Sequence, residues 1–239
     1  MEMDDLAKID RIILENPWKN AYWFARMLIS SDKYGGIGKN SKLLLNITAQ
    51  CRSVLENESL SEDERVSVCK NIIENSLTKA YQNAKTKIGR VRLFIEDLSQ
   101  KIKTLEDVKV FILTSESIMV PINNALETIP SNDREFAEQT AEAYLNTLGT
   151  KGLATVINLW DDLGTEGSLN AERVAVVREF TRLKRDIEYM PELEANMVLT
   201  AFTQEFERRL SQKRKTRAGG SLEDVASFLF KYYGIESTN

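Results

Sequence analysis

Apolar residues recur along this chain every three or four positions, which is the spacing of one face of an α-helix. The clearest series takes ten such steps over 36 residues, through Val66, Cys69, Ile73, Leu77, Ala80, Ala84, Ile88, Val91, Ile95, Leu98 and Ile102. Just before it, Ser61 and Glu64 have the spacing of a capping box, in which each side chain bonds the other residue's backbone N–H. The pattern predicts one long helix over about 62–102.

The same spacing, with proline and glycine at the ends, predicts the other helices. They are expected over 3–15, 18–31, 41–55, 104 to the region of Pro121, 132–148, 151–163, 170–189 and 192–212. No stretch shows the alternation of a half-buried strand. The sequence therefore predicts an all-α multi-helix bundle, with a helical domain over 1–207, a basic linker over 208–220 and a terminal helix over 221–235.

The charge of the chain is unevenly distributed. The net charge of all 239 residues is −4, yet residues 208–217 contain six cations and no acid, which leaves −10 for the rest. These cations are Arg208, Arg209, Lys213, Arg214, Lys215 and Arg217. Without acids four positions away, such a run is not neutralised along its own helix. Two interpretations remain: a solvated linker, or a segment that contacts the DNA backbone.

The residue types exclude several chemistries. The chain has no histidine, which excludes Ser-His-Asp and Cys-His catalysis and HExxH zinc sites. Any hydrolysis must use carboxylates, lysines and a hard cation such as Mg²⁺. Cys51 and Cys69 lie among apolar residues on predicted helices, which favours two buried thiols in a reducing compartment. With no membrane-spanning apolar run and an acidic N-terminus, the sequence predicts a cytoplasmic protein without membrane contact.

Three aromatic residues, Trp18, Tyr22 and Trp23, cluster on the second predicted helix. Aromatic side chains at helical spacing usually belong to the core. Stacking on nucleic-acid bases is the alternative. The sequence alone favours the core.

The C-terminal segment 208–235 shows a more specific pattern. Its residues are Arg214, Arg217, Ala218, Gly219, Ser221, Leu222 and Glu223, followed by Phe228, Leu229, Phe230 and Gly234-Ile235. This segment resembles the start of the nuclease core of certain type II restriction endonucleases. In those enzymes, an R-x-x-R-A-G-x-S-[LF]-E stretch opens the first helix of a PD-(D/E)XK fold.

The resemblance implies roles for individual residues. Glu223 would be a supporting carboxylate near a Mg²⁺ site, and the six cations would lie near the backbone of double-stranded DNA. The family places P-D and then (D/E)-x-K on strands after Gly-Ile, whereas Asn239 ends this chain. The expected protein is the helical DNA-recognition or N-terminal part of a Mg²⁺-dependent type II restriction endonuclease.

Under this interpretation the catalytic core is missing or supplied by a second polypeptide, and Mg²⁺ is a cofactor only when that core is supplied. A homodimer is another assembly consistent with the family. Two alternatives to the endonuclease remain open: an all-helical interaction or scaffold protein, and a non-enzymatic DNA-binding regulator.

Overall fold

The computed structural model of the protein describes residues 15–129, 142 and 166–232, and within these ranges the regular structure is entirely helical. The all-α prediction is therefore confirmed. The α-helices are α1 Asn20–Ile29, α2 Ser31–Tyr34, α3 Ser41–Leu55, α4 Glu62–Tyr81, α5 Ile88–Lys101, α6 Leu105–Leu113, α7 Val120–Thr128, α8 Glu166–Asp186 and α9 Glu192–Tyr232. Short 3₁₀ turns occupy Pro17–Lys19 and Ile37–Lys39. The helices predicted over 3–15, 132–148 and 151–163 lie almost wholly outside the described residues.

The chain divides into two compact units. Unit 1 comprises Met1–Asn123 and Arg182–Phe206, and unit 2 comprises Asn124–Thr181 and Glu207–Asn239. Helices α8 and α9 each contribute residues to both units. The predicted division into 1–207 and a C-terminal part thus differs from the observed one, because segment 124–181 groups with the C-terminal residues.

The core of unit 1 includes the apolar faces of helices α1 to α6. Phe24 of α1 meets Phe111 of α6 edge to face, with ring centroids 5.7 Å apart, and both side chains are buried. Cys51 on α3 and Cys69 on α4 are buried free thiols, as predicted. Each cysteine Sγ lies near the other's carbonyl oxygen, at 4.0 and 3.8 Å. These contacts tie α3 to α4 without a covalent link.

The single long helix predicted over 62–102 is wrong, because two helices share its apolar pattern. Helix α4 ends at Tyr81 and α5 begins at Ile88. The two helices pack against each other, and Lys70 Nζ of α4 donates to the Ser99 carbonyl oxygen of α5 at 3.0 Å. The chain therefore reverses in the polar turn 82–87. In both helices the residues of the apolar series are the ones that face the core. The spacing of three and four residues therefore continues across the turn 82–87.

The helix starts predicted near residues 62 and 104 are confirmed. At α4, Ser61 N–H donates to Glu64 Oε2 at 2.8 Å, and Glu64 N–H donates to Ser61 Oγ at 3.3 Å. Thr104 and Asp107 form the corresponding capping box at α6. Each box satisfies backbone donors that the first helical turn leaves without partners.

Helices α6 and α7 are joined without interruption by a π-helical segment, Thr114–Met119. The Val120 N–H donates to the Ser115 carbonyl oxygen, five residues back. Pro121, which has no N–H to donate, follows this wide turn directly. The helical path therefore continues past the proline to Thr128.

Gly38 permits its backbone to pack closely against Leu28 and Met119 in unit 1. A Cβ at this position would lie 2.8 Å from Met119 Cε and 2.9 Å from both Leu28 Cβ and Leu28 O. The Gly38 carbonyl oxygen also accepts a hydrogen bond from Asn123 Nδ2 at 2.7 Å. Since any side chain would collide with α1, glycine is the residue that fits here.

The basic linker predicted over 208–220 and the separate helix over 221–235 are corrected by the structure. Helix α9 runs for 41 residues, Glu192–Tyr232, and includes Gly219 and Gly220. Glycine costs an exposed helix about 1 kcal/mol relative to alanine, and tertiary contacts commonly outweigh that cost. Within unit 2, side chains of this helix bond to α8 and to α7, as described below. None of the helices in the described ranges is long and apolar enough to cross a bilayer.

Candidate nucleic-acid interface

The six cations of segment 208–217 lie on helix α9 in unit 2, where the helical turn distributes them over different faces. Arg217 is buried and donates from Nη2 to Glu172 Oε1 of α8 at 2.8 Å. Arg214 donates from Nε to the other oxygen, Glu172 Oε2, at 2.9 Å, and from Nη1 to Glu207 at 3.4 Å. Two of the predicted DNA contacts are therefore engaged within the fold.

Lys213 is a third cation held by the protein itself. Its Nζ donates to the Leu126 carbonyl oxygen at 2.6 Å, next to the end of α7. Partial burial lowers the pKa of the Lys213 ammonium, and the nearby positive charges of Arg217 and Arg209 lower it further. The Leu126 carbonyl lies in the last turn of α7, where the helix itself offers it no N–H donor. The Lys213 ammonium supplies that donor.

The remaining cations are Arg208, Arg209 and Lys215. Arg208 and Arg209 are half-buried, and each has an interaction within the protein. Lys215 is exposed and bonds none of the residues that the structure describes. Of the six predicted DNA-binding residues, Lys215 is thus the one that is exposed and has no bond to a described residue.

Lys215 belongs to an exposed face of α9 that includes the predicted supporting carboxylate. Steps of three and four residues align Arg208, Gln212, Lys215, Gly219 and Glu223, and all but the half-buried Arg208 are exposed. A Cβ built on Gly219 would meet nothing within 4 Å. We call this set the exposed face of α9. It offers two cations, an amide and an uncovered stretch of helix backbone.

Among the residues that the structure describes, Glu223 belongs to no cluster of carboxylates that could bind a cation. No group of three potential metal ligands occurs among the described residues. The sequence has one (D/E)-x-K spacing, Asp107-Val108-Lys109, but it lies on helix α6 rather than on a strand. There Asp107 accepts hydrogen bonds from the Lys103 and Thr104 backbone. The side chains described thus do not fit the Mg²⁺ site of a PD-(D/E)XK enzyme.

Sequence reasoning missed the residue that organises this region, Glu172. Helix α8 buries Glu172, Ala175 and Glu179 along one stripe, and the two glutamates are only 2% and 4% exposed. Two acids inside a helical stripe that is otherwise apolar were a readable signal. Glu172 lies 42 and 45 residues before its partners Arg214 and Arg217, and this distance concealed the pairing.

The aromatic cluster is also placed differently from the prediction. Trp23 was expected in the core but is 51% exposed. Helix α1 buries Ala21, Phe24 and Leu28 instead. That stripe was visible in the sequence at steps of three and four, and it leaves Trp23 on another side of the helix.

Comparisons of the chain with protein-family models, with curated proteins and with solved structures find no match.

Proposed function

We propose that this chain is the helical, DNA-contacting part of a type II restriction endonuclease, and that it holds duplex DNA by the phosphate backbone. The observation that carries the proposal is the exposed face of α9, on which Lys215 and Arg208 accompany Glu223. These residues belong to the segment whose sequence resembles the start of the nuclease core. One helix face would thus bring the DNA backbone and the supporting carboxylate together.

Two groups of cations have different roles in this proposal. Arg214, Arg217 and Lys213 hold α9 against its neighbours in unit 2 through Glu172 and the Leu126 carbonyl. Lys215 faces outward, and the half-buried Arg208 lies two helical turns before it on the same face. Contacts of this kind position DNA without reading its sequence, and they release counterions, so affinity falls steeply as salt rises.

The open surface at Gly219 supports a close approach of the phosphate backbone. The glycine is exposed, and no described atom lies within 4 Å of the place a Cβ would take. A phosphate can therefore come nearer to the helix here than where a side chain projects. This approach would lie four residues from both Lys215 and Glu223.

The proposed nuclease chemistry requires residues that this chain does not contain. Residues 1–239 have no P-D dipeptide, so the strands that hold Mg²⁺ would come from a second polypeptide or from sequence beyond these residues. In this arrangement Mg²⁺ serves as cofactor of the nuclease core only. The proposal places the protein in the cytoplasm, where it would meet double-stranded DNA.

The DNA contact is tested by fluorescence anisotropy with a labelled short duplex at increasing salt. We expect wild-type binding at low salt, and we expect Lys215→Ala to flatten the slope of log affinity against log salt by about one unit. Lys79→Ala is the matched control, since Lys79 is an exposed lysine at the end of α4 in unit 1. Absence of duplex binding at low salt would contradict the proposal.

The endonuclease assignment is tested separately from DNA binding. The polypeptide that supplies P-D and (D/E)-x-K would be fused after Asn239 or added in trans with Mg²⁺, and cleavage of plasmid DNA followed. We expect cleavage, and we expect Glu223→Ala to reduce it while leaving duplex affinity within twofold. Duplex binding without any cleavage would favour a non-enzymatic regulator.

A further inference from the structure

Unit 1 contains an open groove of about 520 Å³ with one aromatic wall. Trp18, Tyr22 and Trp23 line one side, and Leu193 and Met197 of α9 line the other. All of these residues belong to the same compact unit. The size lies within the range of ordinary small-ligand pockets.

The exposed indole of Trp23 is fixed in position by its neighbours. Its ring meets the Tyr22 ring edge to face, with centroids 5.5 Å apart and planes at 71°. Lys101 Nζ lies 5.3 Å from the Trp23 ring centroid, a cation–π distance. A large aromatic surface that is half exposed and held in this way is ready for a flat partner to stack on.

Cations lie beside the aromatic groove. An adjoining polar cavity of about 390 Å³ is lined by Lys19, Lys101 and Lys103, and Lys19 also lines the aromatic groove. The described lining of the aromatic groove contains no acid. Aromatic faces and ammonium groups thus occur side by side.

Two acids reach the polar cavity, Asp107 and Glu15. Asp107 has a structural role, because its carboxylate oxygens accept hydrogen bonds from the Lys103 and Thr104 backbone N–H groups and from Asn20 Nδ2, the last at 3.0 Å. Glu15 and Lys19 each have an interaction within the protein. Three lysines against two acids, one of them buried, leave the cavity favourable to an anion.

We propose that this composite site binds unpaired nucleotides of a single-stranded nucleic acid. A base stacks on Trp23 in the aromatic groove, and the adjoining phosphate binds among Lys19, Lys101 and Lys103. This combination of aromatic faces and a basic track is the usual means of holding single strands without sequence preference. A duplex keeps its bases stacked on one another and offers the groove no free base face.

The proposal does not rest on duplex binding by α9. It concerns residues of unit 1, whereas the exposed face of α9 lies in unit 2. A duplex whose bases are all paired tests the exposed face of α9, and a strand that cannot pair tests the groove of unit 1. Each proposal can therefore fail in its own experiment while the other still holds.

The probe is a labelled oligothymidylate, which forms no internal pairs, and its binding is followed by anisotropy and by quenching of tryptophan fluorescence. We expect binding that weakens with salt. Trp23→Ala should lower affinity by about 5- to 100-fold, the effect of losing one stacked base, whereas Trp23→Phe should retain most of it. Lys101→Ala should weaken binding and flatten its salt dependence.

The matched control is Tyr189→Ala, which removes an aromatic ring that is 92% exposed and does not line the groove. Because Trp23 is half exposed, its replacement is expected to leave the circular dichroism spectrum unchanged, which checks folding. Oligothymidylate binding that Trp23→Ala leaves unaltered would overturn the proposal, as would the absence of binding at low salt.

Two further outcomes would overturn the assignment to a strand. Thymidine monophosphate that binds as tightly as the oligonucleotide would assign the site to a free nucleotide. A wild-type dimer that Trp23→Ala dissociates, measured by light scattering, would assign the groove to a second copy of the chain.

Discussion

Arg217 Nη2 donates to Glu172 Oε1 at 2.8 Å, and the two side chains are only 9% and 3% exposed. The second oxygen of the same carboxylate accepts from Arg214 at 2.9 Å. One buried acid of α8 thus pairs with two cations of a segment that itself contains no acid, and Arg214 has a further partner in Glu207. The long-range pair attaches to α8 a part of α9 that the sequence predicted to be a basic linker.

Removing this carboxylate should destabilise the protein strongly. Glu172→Ala leaves the Arg217 guanidinium buried without its counter-ion, and we expect the free energy of unfolding to fall by about 3–5 kcal/mol. Urea denaturation followed by circular dichroism measures the change. The control is Arg173→Ala on the exposed side of the same helix, expected within about 0.5 kcal/mol of wild type. Equal effects of the two substitutions would contradict the assigned role of Glu172.

Replacing Gly219 should distinguish a helix from a linker at this position. Gly219→Ala adds a methyl group into open space on the exposed side of α9, so we expect a gain of about 0.5–1 kcal/mol in the free energy of unfolding. A flexible linker would show almost no change.

Gly38→Ala provides the opposite case in the same assay. The added Cβ would collide with the Leu28 backbone oxygen, 2.9 Å away, so we expect a clear loss of stability. Stabilisation by both alanines would show that the close contact at Gly38 is absent.

The hydrogen bond from Tyr34 Oη to Asp97 Oδ2, 2.5 Å long, should make stability depend on pH at both ends of the range. This bond, with a second from Lys33, lowers the pKa of Asp97 below 3.8. The unfolded carboxyl therefore binds protons first as pH falls, and the stabilisation is full above about pH 4 and lost as pH falls through the lower folded pKa.

At alkaline pH, stability depends on pH in the opposite direction, and the group responsible is Tyr34. Burial, and then the bond to Asp97, raise the pKa of Tyr34 above 10.0. Its stabilisation is full below pH 10 and is lost as pH rises through the folded pKa. Tyr34→Phe should lower stability at neutral pH and flatten both limbs of the profile, measured as unfolding midpoints. Tyr189→Phe, at an exposed position, should leave the profile unchanged.

The buried thiols should react slowly with reagents for free cysteine. The hydrogen bond with Cys69, together with burial, raises the pKa of the Cys51 thiol, so little Cys51 thiolate is present at neutral pH. Cys69 is protected by its burial, since its side chain is fully shielded from solvent. We expect both cysteines to resist Ellman's reagent in the native protein and to react at once in denaturant. Rapid titration of two thiols without denaturant would show that the α3–α4 contact opens readily.

The sequence by itself determined that the protein is helical and where several helices begin. Apolar residues at steps of three and four bury one side of each helix, and capping residues such as Ser61 and Thr104 satisfy the first backbone N–H groups. It also located the basic segment and the two buried thiols. These features depend on neighbours within a few turns of the chain, so they can be read from spacing alone.

Only the tertiary structure decided what each helical face meets. The pattern through 62–102 is the same whether the chain continues or reverses at 82–87, because both arrangements bury the same side. Likewise, the basic segment gave no sign that Glu172 would neutralise Arg214 and Arg217, or that Trp23 would remain half exposed. Spacing shows which residues share a face, whereas partner and exposure depend on contacts between residues distant in sequence.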